Sequence, residues 1–167
     1  MRKTRRESIG DAFPALRRER DLLLKTLEAF REEDLGFHPP APAGVEMLDV
    51  RQIFLHVADA DRRLLSEGIR GRGTIDAGFV CDESVARIAS LGGGDLDRSG
   101  LRTRLEEAWK GIEGMLSWPA AALLRRGIED RETLLGLLGF ALIHRAQHRG
   151  QLWAYLEMLG RELPRDG

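Results

Sequence analysis

Two histidines near the end of the sequence, His144 and His148, are spaced so that both imidazoles could bind one metal ion. A spacing of four residues turns a helix by about 400°, so the second ring lies only about 40° around the axis from the first and one turn further along. The residues within about 40° of His144 on this stripe are all uncharged. They are Leu137, Phe140, Gln151 and Tyr155. The pair is therefore expected to face the core of a helical protein.

A histidine on an inward-facing stripe is costly to protonate and needs a partner, which a metal ion can be. Neutral imidazole nitrogen is a good ligand for zinc, nickel or iron. His56 is the one other histidine in the middle of a helical segment, and its helical neighbours include the apolar Ile53 and Ala60. Three protein ligands would leave positions open for water and substrate, as in catalytic zinc sites, where the ion lowers the pKa of a bound water or thiol. The alternative is that the histidines are hydrogen-bonded core residues.

Gln151 and Tyr155 lie on the same stripe as the candidate ligands. Their side chains could hydrogen-bond a water or a substrate at the ion, which makes them candidate catalytic residues. The alternative is that both are packing residues whose polar ends are satisfied by neighbouring groups.

Asp59 and His38 could lie near such a site or at the surface. Asp59 follows His56 by three residues, so its carboxylate could accept the other imidazole N–H; the favoured alternative is a surface acid that pairs with Arg62 or Arg63. His38 lies in the proline-rich stretch 37–42, which favours a place on the surface or at the rim of a site over metal ligation.

Four amphipathic helical segments must position these residues. Apolar residues recur in them every three or four positions, and no strand-like alternation persists. The segments cover residues 8–33, 48–67, 99–116 and 130–159. Between the second and third, residues 69–100 are rich in glycine and are predicted to form a long crossover that spans the bundle or covers a site. The pattern predicts an all-α protein, a four-helix bundle with a long crossover.

The ends of the helices carry recognisable signals. Ser8 with Asp11, and Asp49, are expected to cap the first two helices. Pro14 is expected in the first turn or at a later helix start. Gly68 and Gly160 are expected to end the second and fourth helices.

Composition limits the classes of partner. The 167 residues suit a single domain over residues 1–167, with residues 1–7 as a flexible basic tail. The 26 basic and 27 acidic residues nearly cancel, which argues against a nucleic-acid partner.

The longest apolar run is the 10 residues 134–143, half of the roughly 20 that span a bilayer. No apolar stretch follows the basic start, so we expect no export signal, no membrane partner and a soluble, cytoplasmic protein. Cys81 stands alone, which excludes an internal disulfide; it is expected to be a structural residue of the crossover.

Three motifs occur in order along the sequence. Residues 37–39 read F-H-P, residues 55–59 read L-H-V-A-D, and the last helix carries H-x-x-x-H-R-G-Q from His144 followed by Y-L-x-M-L-G from Tyr155. In these motifs and their order the protein resembles the DinB-like (YfiT-like) superfamily of metal-dependent enzymes. The resemblance implies a four-helix bundle in which His56, His144 and His148 bind one divalent metal ion.

The same resemblance implies a class of chemistry. Members of the superfamily include transferases and isomerases that use low-molecular-weight thiols such as bacillithiol or mycothiol, and homodimers are common among them. The leading prediction is therefore a thiol transferase that acts on a small electrophilic substrate. The alternatives are a metal-dependent hydrolase, a non-catalytic metal-binding stress-response protein, and a bundle whose histidines only pack.

Two positions depart from the superfamily pattern. Many members have an acid directly after the first histidine of the last helix, where this sequence has Arg145, and an arginine near the helix end, where it has Glu157. The role of that acid is expected to be vacant here or filled by Asp59 or Glu157.

Trp153 lies opposite the ligand stripe and is expected to contact another helix or a second subunit.

Overall fold

The computed structural model describes residues 7–40, 43, 47–63, 88, 96–124 and 134–165. These residues form five α-helices and no β-strand, so the all-α prediction is confirmed. The helices are α1 (Ile9–Ala12), α2 (Ala15–Ala29), α3 (Val50–Asp61), α4 (Arg98–Leu116) and α5 (Leu134–Met158). Short 3₁₀ turns cover Glu32–Asp34 and Ala120–Leu124. Several predictions lie outside the described residues: the basic tail over residues 1–6, Gly68, Cys81 and most of the crossover.

The prediction of one continuous helix over residues 8–33 is wrong. Ser8 and Asp11 cap α1 reciprocally, as expected, but α1 ends at Ala12 and α2 begins after Pro14. Proline has no N–H and its ring clashes with the carbonyl four residues earlier, so a helix cannot run through this position without a break. Pro14 therefore marks a later start, and α2 ends at Ala29, since Phe30 is already extended with ψ 143°.

Three other helix ends match their sequence signals closely, while the predicted end at 67 and the predicted start at 130 lie outside the described residues. Asp49 caps α3 by accepting the Gln52 N–H at 2.6 Å, and α4 stops at Leu116, before Trp118 and Pro119. Gly160 ends α5 with φ of 66°, a left-handed conformation that favours glycine. The Arg161 N–H then reaches back to the Leu156 carbonyl at 2.8 Å, which closes the last turn in a Schellman motif.

The core lies where α3 packs against α4 and α5, and α2 packs against α5. Phe30 and Phe54 are fully buried and meet edge to face, with ring centroids 6.2 Å apart. Burial of one such side chain contributes about 1.5–3 kcal/mol to stability. Leu152 and Leu156 of α5 belong to the same buried cluster as Phe54, so the core also joins α3 to α5, the two helices that carry the candidate ligands.

Trp153 contacts another helix of the same chain, which is one of the two expected possibilities. Its indole Nε1 donates to Thr26 Oγ1 of α2 at 3.0 Å, and the Arg149 guanidinium lies over its ring at 4.5 Å.

Among the described helices, none combines the length and the apolar character that a bilayer crossing requires.

Candidate metal centre

His56, His144 and His148 come together in the core between α3 and α5. The Nε2 atom of His144 lies 3.0 Å from Nε2 of His56 and 3.2 Å from Nε2 of His148. The three ring centroids are 4.5–4.9 Å apart. These three side chains form a buried group that could hold a metal ion.

The local sequence explains why the rings converge. His144 and His148 stand one turn apart on α5, and the apolar residues of α5 around them turn that face toward α3. On α3, Ile53 and Ala60 are fully buried at helical spacing on either side of His56, so His56 shares their inward face. His56 and His144 are 2% and 5% exposed, and His148 is half-buried.

The spacing of two of the three nitrogen pairs suits one metal ion, and the ligand atoms of all three residues lie within 4.8 Å of one another. Ligand nitrogens about 2.0–2.1 Å from one ion stand roughly 2.9 Å apart at a right angle and roughly 3.3 Å apart at a tetrahedral angle. The observed separations of 3.0 and 3.2 Å fall between these values. The same separations also suit N–H···N hydrogen bonds, so either a proton or an ion can lie between neighbouring rings.

Burial keeps the three imidazoles neutral. It lowers the pKa of His56 to about 4, with a further contribution from nearby His148, while Asp59 opposes the shift. Burial lowers the pKa of His144 to about 3, helped by the positive potential of its neighbours His148, His56 and Arg145. The pKa of His148 is also lowered by burial, although its hydrogen bond to Gln151 opposes this. At neutral pH each ring can therefore present a nitrogen lone pair, as a metal ligand must.

Gln151 and Tyr155 contact the cluster through His148. The Gln151 Oε1 atom lies 3.2 Å from His148 Nδ1, and the Gln151 amide donates to Tyr155 Oη at 3.1 Å. Tyr155 Oη donates in turn to the main-chain carbonyl of Leu48 at 3.1 Å. Burial raises the pKa of the Tyr155 phenol, so it keeps its proton at neutral pH. A catalytic role for these two residues stays a prediction.

His144 has a different environment on its outer side. Its Nδ1 atom is buried and makes no hydrogen bond. The Phe140 ring stacks on the imidazole with centroids 5.8 Å apart and an interplanar angle of 19°. Stacking fixes the plane of the His144 ring without fixing which nitrogen carries the proton.

Arg145 is buried next to the cluster and pairs with Asp61, a residue that sequence reasoning missed. The Arg145 Nε donates to both Asp61 oxygens at 3.0 Å, and Nη2 donates to Oδ2. The Arg145 guanidinium also lies 4.9 Å from the centre of the Trp109 ring. The sequence feature that could have predicted this pairing is Arg145 itself. An arginine among core residues needs an acid as its partner, and a neighbouring helix can supply one.

The three-ring group includes none of the other sequence candidates among the described residues. Asp59 pairs with Arg62 at 3.1 Å and Arg63 at 3.2 Å, so the predicted pairing is confirmed, but its side chain is only 11% exposed and does not lie at the surface. Glu157 is exposed. His38 is exposed too, with its Nδ1 3.3 Å from the Met47 carbonyl, and the three-ring group does not include it.

No family model and no curated protein matches this sequence. The resemblance to the DinB-like superfamily therefore rests on the three motifs alone.

Proposed function

We propose that this protein is a divalent-metal-dependent enzyme of the DinB-like type, with His56, His144 and His148 as the metal ligands. The observation that carries the proposal is the convergence of three neutral imidazole nitrogens, two pairs of which lie 3.0 and 3.2 Å apart inside an apolar core. The fold proposed to hold the site is a four-helix bundle of α2, α3, α4 and α5, with a crossover between α3 and α4.

The donor set suits several ions. Imidazole nitrogen binds zinc, nickel and iron, and availability in the cell decides much of the choice among them. Bound between these rings, a divalent ion would lower the pKa of a thiol or a water and so provide a nucleophile near neutral pH. The role of the protein is to hold the three rings, to limit water at the cluster and to orient a small substrate.

Transfer of a low-molecular-weight thiol to a small electrophile is the reaction that we favour. Of the two sequence candidates near the cluster, Gln151 bonds His148 and Tyr155, and Tyr155 bonds the Leu48 carbonyl. A thiolate needs no general base once its pKa is lowered, whereas hydrolysis usually needs a positioned acid to protonate the leaving group. The resemblance to the superfamily, whose members include thiol transferases, is what favours thiol transfer over metal-dependent hydrolysis.

Metal content tests the site first. The untagged protein would be purified without chelator and its bound metals measured by plasma mass spectrometry, beside His56→Ala, His148→Ala and the matched control His38→Ala. We expect about one divalent ion per chain in the wild type and the control, and its loss in the two cluster variants. A wild type that holds no metal, even after incubation with zinc, nickel, iron or manganese, would overturn the proposal.

Turnover then separates the reaction classes. The loaded protein would be assayed with model electrophiles and a panel of thiols, including bacillithiol and mycothiol, and with model esters in the absence of thiol. Thiol-dependent turnover that the His148→Ala variant lacks is the expected result. Ester cleavage without thiol would favour the hydrolase, and a bound metal without any turnover would leave a metal-binding protein. Light scattering on the same sample tests the proposed homodimer.

A further inference from the structure

Three hydrogen bonds run outward from His148 to the start of α3. They join His148 Nδ1 to Gln151 Oε1 at 3.2 Å, the Gln151 amide to Tyr155 Oη at 3.1 Å, and Tyr155 Oη to the Leu48 carbonyl oxygen at 3.1 Å. We call this set of four residues the His148 network. Tyr155 is 2% exposed, and the Phe37 ring packs edge-on against it with centroids 5.8 Å apart.

The direction of every bond in the network follows from its last member. A main-chain carbonyl can only accept, so the single proton of the Tyr155 hydroxyl points at Leu48. The Tyr155 oxygen must then accept from Gln151, which places the NH₂ group of that amide beside the phenol. The amide oxygen faces His148 Nδ1 as an acceptor, so Nδ1 must carry the imidazole proton.

A proton on Nδ1 leaves Nε2 of the neutral His148 ring with a bare lone pair. That is the nitrogen that faces His144 Nε2 in the cluster. We infer that Gln151 and Tyr155 are positioning residues, which hold His148 in the one tautomer and ring orientation that can ligate an ion at the cluster. The importance of this tautomer for metal binding rests on the proposed function. The tautomer itself follows from the hydrogen bonds alone.

Tyr155 is buried and His148 and Gln151 are partly buried, which strengthens the case that the network acts as a unit. Hydrogen bonds are stronger in the low dielectric of a core, and a buried donor or acceptor left without a partner is costly. Reversal of the amide would set its NH₂ group against His148 Nδ1 and its carbonyl oxygen against the Tyr155 oxygen, whose one proton is already donated to the Leu48 carbonyl. The Leu48 carbonyl, three hydrogen bonds away from His148, thus determines the tautomer of a candidate ligand. His144 has no such support, since its Nδ1 makes no hydrogen bond.

The tautomer can be measured on the metal-free protein. Two-bond ¹H–¹⁵N NMR spectra of the histidine rings at neutral pH distinguish Nδ1–H from Nε2–H, and His148→Gln assigns the His148 signals by their loss. We expect a single Nδ1–H tautomer for His148 in the wild type. Gln151→Leu removes the acceptor and should produce a mixture of tautomers or the Nε2–H form.

Two further variants distinguish positioning from packing. Gln151→Glu keeps an acceptor beside Nδ1 and should restore the Nδ1–H tautomer, with the Tyr155 hydroxyl turned to donate to the second carboxylate oxygen. Gln147→Leu, an exposed change on the same helix, should leave the tautomer unaltered. Tyr155→Phe frees the amide to reverse and should give an intermediate mixture. Zinc affinity, measured by competition with a chelating dye, should fall about 10- to 100-fold in Gln151→Leu and recover in Gln151→Glu.

The possible results separate the two proposals. An Nε2–H tautomer in the wild type, or an unchanged tautomer in Gln151→Leu, would overturn the inference whatever metal the protein binds. A wild type with the expected tautomer that binds no metal would leave the network intact and overturn the proposed function instead.

Discussion

Asp61 and Arg145 form a buried ion pair between α3 and α5, directly beside the histidine cluster. Both side chains are 2–3% exposed, and the guanidinium engages both carboxylate oxygens. Arg145 follows His144 in the sequence, so the ion pair and the cluster join the same two helices at adjacent points. The cluster is therefore held together by a second contact that needs no metal.

Removal of one partner of this pair should be strongly destabilising. Asp61→Ala leaves the Arg145 guanidinium buried and unpaired, which should lower the free energy of unfolding by about 3–5 kcal/mol. Urea denaturation, monitored by circular dichroism, measures this loss in the free energy of unfolding. The double variant Asp61→Leu, Arg145→Met should recover much of the loss, because it leaves no buried charge.

The exposed pair of Glu28 and Arg102 is the matched control. Water and salt screen it, so Glu28→Ala should change stability little. An Asp61→Ala protein as stable as Glu28→Ala would show that the buried pair is not held as the structure has it.

The hydrogen bond between Trp153 and Thr26 should contribute measurably to the packing of α5 on α2. Trp153→Phe and Thr26→Val each remove the bond and keep most of the apolar contact, so each should cost about 0.5–1.5 kcal/mol. The double variant should cost less than the sum of the two single losses, because both changes remove the same bond. Strict additivity in this thermodynamic cycle would contradict the contact.

Acid should destabilise the metal-free protein below about pH 6.5. The pKa of His56 falls from 6.5 to about 4 on folding, and that of His144 from 6.5 to about 3. Between these values the unfolded chain binds more protons than the folded one, so stability rises with pH in this window and is lost as the pH falls.

The size of this effect can be read from one variant. At pH 5 each of the two histidines should cost roughly 1–2 kcal/mol relative to pH 7.5. His56→Gln should therefore lose less stability than the wild type between these two pH values, as measured by urea denaturation at each. An equal loss in the two proteins would mean that His56 is not a buried neutral base.

Two glycines should respond to alanine in opposite directions. Gly160→Ala forces a side chain into the left-handed conformation, with φ of 66°, and should cost about 1 kcal/mol. Gly114 is exposed within α4, and an added methyl group there meets no atom within 4 Å. Gly114→Ala should stabilise by about 0.5–1 kcal/mol through better helix propensity. Melting temperatures of both variants check the prediction.

Local signals in the sequence predicted much of this arrangement. The caps at Ser8 and Asp49 and the stop at Gly160 depend on a few neighbouring residues, and the spacing of His144 and His148 depends on one helix. His56 could be added because its apolar neighbours show which face of α3 is buried. All of these follow from helix geometry without knowledge of how helices pack.

Contacts between helices were beyond local reasoning. Asp61 is one of many acids in the sequence, and its partnership with Arg145 depends on how α3 crosses α5. Asp59 and Glu157 were the candidates by sequence, yet the first pairs within its own segment and the second is exposed. The role of Leu48 was equally hidden, because it acts through a main-chain oxygen that every residue has.

The adjacency of His144 and Arg145 also orders the assembly of the protein. During synthesis α3 leaves the ribosome long before α5, with the Asp61 carboxylate and the His56 ring both still in need of partners. Both groups stay hydrated until α5 arrives, since burial of either one alone is unfavourable. Docking of α5 supplies His144 and Arg145 together, so one event satisfies both groups. The contact between α3 and α5 should therefore form in a single cooperative step late in folding, with no stable half-docked state.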